Sequence, residues 1–194
     1  MEHLLKTIRK CEICKGQLPF SPNPVLAASH QSKIVIIGHA PGKAVHHSGV
    51  PWDDQSGQRL RTWLGVTAEH FYQTNNFAII PMGFCYPGRG KTGDLPPRKE
   101  CAPEWHPQIF SKLTDVKMTL LIGKYAQSYY LQEKLKKNLT ETVRQYVDFQ
   151  PDFFPLPHPS PRNNIWLKKN PWFEEEVVPA LKLRIKGILT DSPM

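Results

Sequence analysis

An α/β fold built on a parallel sheet is predicted by three observations. Residues 33–37, Lys33-Ile34-Val35-Ile36-Ile37, form a continuous β-branched run that stops at Gly38, as expected of a central strand buried on both faces. Three further short apolar runs follow, Phe77-Ala78-Ile79-Ile80, Met118-Thr119-Leu120-Leu121-Ile122 and Phe153-Phe154-Pro155-Leu156. Helical patterns lie between and after them, and strands alternating with helices pair in parallel.

Taken in order, the first helix covers residues 2–10 and ends at the Cys11-x-x-Cys14 loop,. After the first strand a helix is expected over residues 57–64, with Leu60, Trp63 and Leu64 on its apolar side,. The third strand leads into a helix over residues 124–137. The last helix, residues 171–186, carries the clearest signals: Asn170 as N-cap, Pro171 first, Glu174, Glu175 and Glu176 early, Lys182, Arg184 and Lys186 late, and Gly187 beyond,. Pro179 should kink it.

Composition narrows the class. The chain of 194 residues is 40% hydrophobic and 22% charged, so one domain with a sizeable core is expected, and disorder, collagen and coiled coil are excluded. No apolar run approaches the roughly 18 residues of a membrane span, and the N-terminus lacks a secretory pattern, so a cytoplasmic protein with no membrane partner is expected. A formal charge of +8 and a pI near 9.4 favour an anionic partner, nucleic acid before membrane,.

In open parallel sheets ligands bind where loops leave the carboxyl ends of strands, and here the 19 prolines concentrate in such loops. The first strand is followed by Gly38-His39-Ala40-Pro41-Gly42, whose glycines let backbone N–H groups approach a ligand; it is neither a Walker loop nor a dinucleotide fingerprint. Trp52-Asp53-Asp54 then sets a flat aromatic beside two carboxylates, of which an extended segment turns only one toward a site. After the fourth strand, prolines hold His158 in place with Ser160 and Asn163 nearby, making it a candidate donor to a leaving group. His46, His47 and His106 are read as surface residues. Arg162, Asn163, Asn164, Ile165, Trp166, Leu167 and Lys168 mix cations, amides and large apolar groups in the way of a wedge entering a nucleic-acid groove.

Four cysteines, Cys11, Cys14, Cys85 and Cys101, are spaced with 2, 70 and 15 residues between them. In a domain of this size they point to a metal centre rather than a disulfide scaffold, either zinc or an iron–sulfur cluster. A single close pair tilts the reading toward iron–sulfur.

From Cys11 to about Pro179 these residues resemble the uracil-DNA glycosylase superfamily. Gly38-His39-Ala40-Pro41-Gly42 resembles its first motif and His158-Pro159-Ser160-Pro161 its second, while the four cysteines resemble the cluster ligands of its fourth and fifth, iron–sulfur, families. The resemblance implies a monomeric three-layer α/β/α domain with a short four-stranded parallel sheet, a structural 4Fe-4S cluster held by Cys11, Cys14, Cys85 and Cys101, and DNA as partner. It implies hydrolysis of the N-glycosidic bond of a damaged, flipped-out base.

Residue by residue, the fourth family's glutamate is replaced here by His39, and its uracil-reading asparagine by Pro81. The fifth family's aspartate before Ser-Gly resembles Asp53-Asp54-Gln55-Ser56-Gly57, which favours Asp54 over Asp53. Trp52 stands where these families place an aromatic under the base. The expected catalytic group is therefore Asp54 or Asp53 with His158 and His39. Gly38, Ala40, Gly42, Trp52, Pro81 and Asn163 are expected to line the base site, and Ser56, Ser160, Arg162, Trp166 and Lys168 to contact DNA. With the asparagine absent, uracil would be accompanied by hypoxanthine or xanthine. The alternative is a non-catalytic damage-sensing module that keeps the fold and the metal.

Overall fold

The computed structural model describes residues 1–190. Its sheet contains β1 (Ile34–Ile37), β2 (Phe77–Ile79), β3 (Met118–Ile122) and β4 (Phe153–Leu156). The strands lie in the order β2-β1-β3-β4 and every pair is parallel, with Ile36 opposite Ile79 on one side and Leu120 on the other. All four expected strands are present. Beside β2, Ala27 exchanges both backbone hydrogen bonds with Ile79, at 3.0 and 2.7 Å. On the far margin, Pro155 of β4 sits opposite Leu121.

Alternation along these strands makes three layers. Ile34, Ile36, Phe77, Ile79, Leu120 and Phe154 face one helical layer, α3 (Gln55–Leu64), α4 (Ala68–Tyr72), α7 (Leu139–Arg144) and α9 (Val178–Thr190), through Leu60, Trp63, Phe71, Val143 and Leu181. Val35, Ile37, Ala78, Ile80 and Leu121 face the other, α1 (Glu2–Arg9), α5 (Cys101–Phe110) and α6 (Lys124–Leu131), through Leu5, Ile8, Trp105, Ile109 and Ala126. The fold is the α/β/α sandwich expected. Two short helices, α2 (Lys43–Ser48) and α8 (Asn164–Lys169), lie in the strand-exit loops.

Three helix expectations need correction. The helix after β3 ends at Leu131 because Gln132 turns into the left-handed region at φ 48°, short of residue 137. The last helix opens with a π-helical turn at Phe173–Val177 ahead of Pro179, which absorbs the hydrogen bond that proline cannot make,. It also runs through Gly187 to Thr190. Asn170 does not cap it: its amide donates to the Trp166 carbonyl at 2.8 Å and its oxygen accepts from the Trp172 indole at 3.2 Å.

Candidate functional site

The loops leaving β1, β2 and β4 meet in a cleft of about 250 Å³, small beside the roughly 300–1,000 Å³ of a drug-sized ligand's pocket and suited to one planar ring system. The β1 and β2 exits are joined directly, Met82 N–H to the Gly38 carbonyl at 2.9 Å and Gly83 N–H to that of His39 at 3.0 Å.

Trp52 forms one wall. Its backbone is left-handed at φ 58°, and its carbonyl accepts from Arg61 at 3.3 Å. The two neighbouring glycines make room for it. A Cβ on Gly57 would lie 1.8 Å from the Trp52 carbonyl oxygen, and one on Gly38 would lie 2.8 Å from its indole.

Asp54 is the N-cap of α3, with Oδ1 accepting the Gly57 N–H at 2.8 Å. This bond fixes the carboxylate and leaves its second oxygen uncommitted in the cleft. Ser56, in the first turn of α3, is buried beside it.

His158 faces Trp52 with ring centres 5.6 Å apart. Burial, with a smaller contribution from His39, pushes its imidazole down to about 4. Its Nδ1 accepts the Ser160 N–H at 3.2 Å, so the neutral ring carries its proton on Nε2. Arg59 of α3 donates to the Ser160 carbonyl at 3.3 Å and Gln127 to that of Leu156 at 2.9 Å, holding the loop from both sides. His39 lies edge-on to Tyr125; burial lowers it, opposed by the field of Asp94.

Gly38, His39, Ala40, Gly42, Trp52, Asp54, Ser56, Pro81, His158, Ser160 and Arg162 thus share one cleft. Four expected residues do not. Asp53 is exposed and turned away by the alternation that brings Asp54 in,. Asn163 gives its amide to the His158 carbonyl at 2.6 Å and supports the loop rather than lining the cleft. Trp166 donates to Thr140 Oγ1 at 2.9 Å and packs edge-on against Trp172 and Phe173, so it lies half-buried against the core and is not a free wedge. Ile165, 69% exposed, is the apolar side chain that α8 presents. Lys168 lies exposed in the last turn of α8, outside the cleft.

Sequence reasoning also missed residues. His106 is buried, not surface: its Nε2 donates to the Pro81 carbonyl at 3.1 Å and its Nδ1 accepts from the Tyr130 hydroxyl at 2.6 Å. Desolvation holds it down near 4, in the neutral form these bonds require. Asp94, carried into the cleft by a loop from the cysteine segment, had only the Gly90-Lys91-Thr92-Gly93 turn before it as a signal. His46, also read as surface, is buried, while His47 is exposed.

Cys11, Cys14, Cys85 and Cys101 line a second, smaller cavity with Leu18, Pro22, Pro24, Phe84, Arg98 and Trp105. All four are free thiols. Burial raises Cys85 to about 11 and Cys101 to about 12, and the neighbouring sulfurs add to both shifts. As they stand, no three His, Cys, Asp or Glu among the described residues form a set for a metal ion. The donor chemistry is nonetheless all sulfur, gathered from distant parts of the chain into one apolar lining, which fits an iron–sulfur group.

A neutral imidazole, a capped carboxylate and an indole thus surround a ring-sized cleft at the carboxyl ends of the parallel sheet of an α/β domain. A model of the uracil DNA glycosylase superfamily matches residues 26–182, and the chain belongs to that superfamily of DNA repair glycosylases. It is also similar to the wild-type SMUG2 of Pedobacter heparinus, known from a crystal structure, at 17% sequence identity, with 84% of this chain and 77% of that chain covered and a TM-score of 0.44. Among the described residues no helix is long and apolar enough to cross a membrane.

Proposed function

We propose that this protein excises a deaminated base from DNA, hydrolysing the N-glycosidic bond of an extruded nucleotide, with uracil as the leading substrate and hypoxanthine or xanthine also accepted. The observation that carries the reading is the neutral His158, its Nε2 proton free, in the same cleft as Asp54 and Trp52. Stacking hides the glycosidic bond in a duplex, so the base must leave the helix before it can be cleaved. Trp52 then takes over the stacking.

As the bond lengthens, positive charge grows on the sugar and negative charge on the departing base. Asp54 stabilises the first and holds the attacking water with its uncommitted oxygen. His158 donates from Nε2 to the second, and backbone N–H groups of the 38–42 loop add to it. Water supplies a hydroxyl to the sugar carbon and its remaining proton neutralises the base, so an abasic sugar and a free base are released.

DNA is held by charge and by geometry. Ser56 and the N-terminus of α3 suit one flanking phosphate, Ser160 and Arg162 another, and Lys168 a third. In this reading Ile165, which α8 exposes, fills the gap left in the stack in place of Trp166,.

In this reading the thiolates of Cys11, Cys14, Cys85 and Cys101 hold a 4Fe-4S cluster, which ties the N-terminal segment to the loop after β2 and takes no part in the reaction. The protein acts as a monomer in the cytoplasm. The experiment is excision from single- and double-stranded oligonucleotides carrying uracil, hypoxanthine or xanthine, scored as alkali-labile sites against Asp54→Asn. Asp54-dependent cleavage supports the reading. Binding without cleavage of any base replaces it with a damage-sensing module.

A further inference from the structure

The cleft contains a second carboxylate that this reaction does not use. Asp94 lies between Cys85 and Cys101, far in sequence from the loops that carry Asp54 and His158, yet it lines the cleft with His39, Gly42 and Arg162. A tight hairpin brings it there, closed by Gly90 N–H to the Gly93 carbonyl at 2.6 Å and Leu95 N–H to the Gly88 carbonyl at 2.8 Å. Arg162 donates to the Thr92 carbonyl at 3.3 Å and ties this hairpin to the His158 loop. A Cβ on Gly93 would meet the end of the Arg162 side chain at 2.3 Å, so the glycine lets the guanidinium lie close against the hairpin. On the opposite side, a Cβ on Gly42 would lie 3.9 Å from Asp94 Oδ2, which sets the carboxylate against the glycine loop.

Among the described residues Asp94 has neither a salt bridge nor a hydrogen-bonded side-chain partner. Asp94 is exposed at the rim of the cleft, and a carboxylate accepts hydrogen bonds and donates none, so it is free to accept from a ligand N–H that enters there. The neighbouring wall at the β2 exit supplies no side-chain acceptor. Pro81 brings no polar side chain, and its carbonyl already accepts from His106. A base enclosed against Trp52 would lose water from its ring N–H, and a buried donor left unmet is costly.

We infer that Asp94 is the specificity-determining residue of this cleft: it accepts the ring N–H that lies beside a carbonyl in uracil, hypoxanthine and xanthine, and repels the bare ring nitrogen that cytosine and adenine present there. The inference rests on the glycosylase reading above and names what selects within it. The opposition between the Asp94 field and burial at His39 agrees with a carboxylate close to the first-motif loop. Selection of this kind, by a polar group that the wrong ligand leaves unpaired, exceeds what shape alone achieves.

The test compares kcat/KM of wild type, Asp94→Ala and Asp94→Asn on oligonucleotides carrying uracil, 3-methyluracil or cytosine. 3-Methyluracil has a methyl group in place of the ring N–H. Asp94→Ala is expected to lose about 10- to 100-fold on uracil and to lose nothing on 3-methyluracil. Asp94→Asn, which can donate to a bare ring nitrogen, is expected to lower the uracil-to-cytosine ratio at least about tenfold and covers the case in which the alanine variant misfolds. Equal losses on uracil and 3-methyluracil, or an unchanged uracil-to-cytosine ratio, overturn the inference while wild-type activity keeps the glycosylase reading. Wild-type protein that cleaves none of these bases removes both.

Discussion

The base cleft and the cysteine cavity lie at two ends of one short stretch of chain, yet they treat their reactive groups in opposite ways. In the cleft Asp54 and His158 are each half spent on the fold. Asp54 gives one oxygen to Gly57 and His158 gives Nδ1 to Ser160, so each is held in place with one atom left to work. In the cysteine cavity Cys14, Cys85 and Cys101 are buried and Cys11 is half-buried, all as free thiols, and their polar neighbours are weak ones: the backbone of Asn23 at Cys85, that of Phe84 at Cys101, and Arg98 with Glu100 at 4.0 Å beside Cys14. The difference is one of anchoring: the cleft groups are fixed by hydrogen bonds within their own loops, the thiols by the packing together of segments distant in sequence.

Removing Asp54 tests the first half of that comparison most severely. Asp54→Asn keeps an N-cap of equal quality, so thermal unfolding should be unchanged while single-turnover excision falls by about 10²–10⁴. A parallel loss of melting temperature would mean that the carboxylate is mainly structural. His158→Ala should cost about 10²–10³ in kcat with a smaller change in KM, since the donor acts chiefly as charge develops on the base.

The second half is tested at the cavity. Purified protein should be brown, with iron and sulfide in equal amounts; a colourless protein carrying zinc would replace the cluster. Cys101→Ser should lower the melting temperature by several degrees or more, the scale expected when a metal tie is lost, with catalytic groups untouched.

A smaller effect follows from buried imidazoles. His158 and His106 both titrate near 4 in the folded chain, below the usual 6.5. As pH falls from about 6.5 toward 4 the unfolded chain binds protons that the folded chain does not, so stability present above 6.5 is lost through that window. Denaturant midpoints should fall over that interval, and less steeply in His106→Gln. The smallest expected change is that of Lys168→Ala, a few-fold weaker DNA binding with the salt slope reduced by about one, measured by titration at several ionic strengths.

The strands were legible because each is a compact apolar run, and strands buried on both faces need no other signal. The motif loops were legible because they follow those strands. The short helices were not, since five or six residues, as in α4 and α7, do not complete the periodicity that marks a helix. Within the site, alternation let only one of Asp53 and Asp54 face the cleft and the resemblance to the fifth family favoured Asp54, but nothing local separates Trp166 from an exposed wedge: its partners Thr140, Trp172 and Phe173 come from other elements. Asp94 was illegible for the same reason, because a hairpin tied by Arg162 decides where it ends up.

The margins of the sheet have a consequence for assembly. A parallel sheet of four strands has two edges whose free N–H and C=O groups could recruit another chain. On the β2 side Ala27 satisfies both outward groups of Ile79, and on the β4 side Pro155 withholds a donor from any strand that might join,. Neither edge offers a continuous ladder, so neither is a ready template for edge-to-edge pairing with another strand.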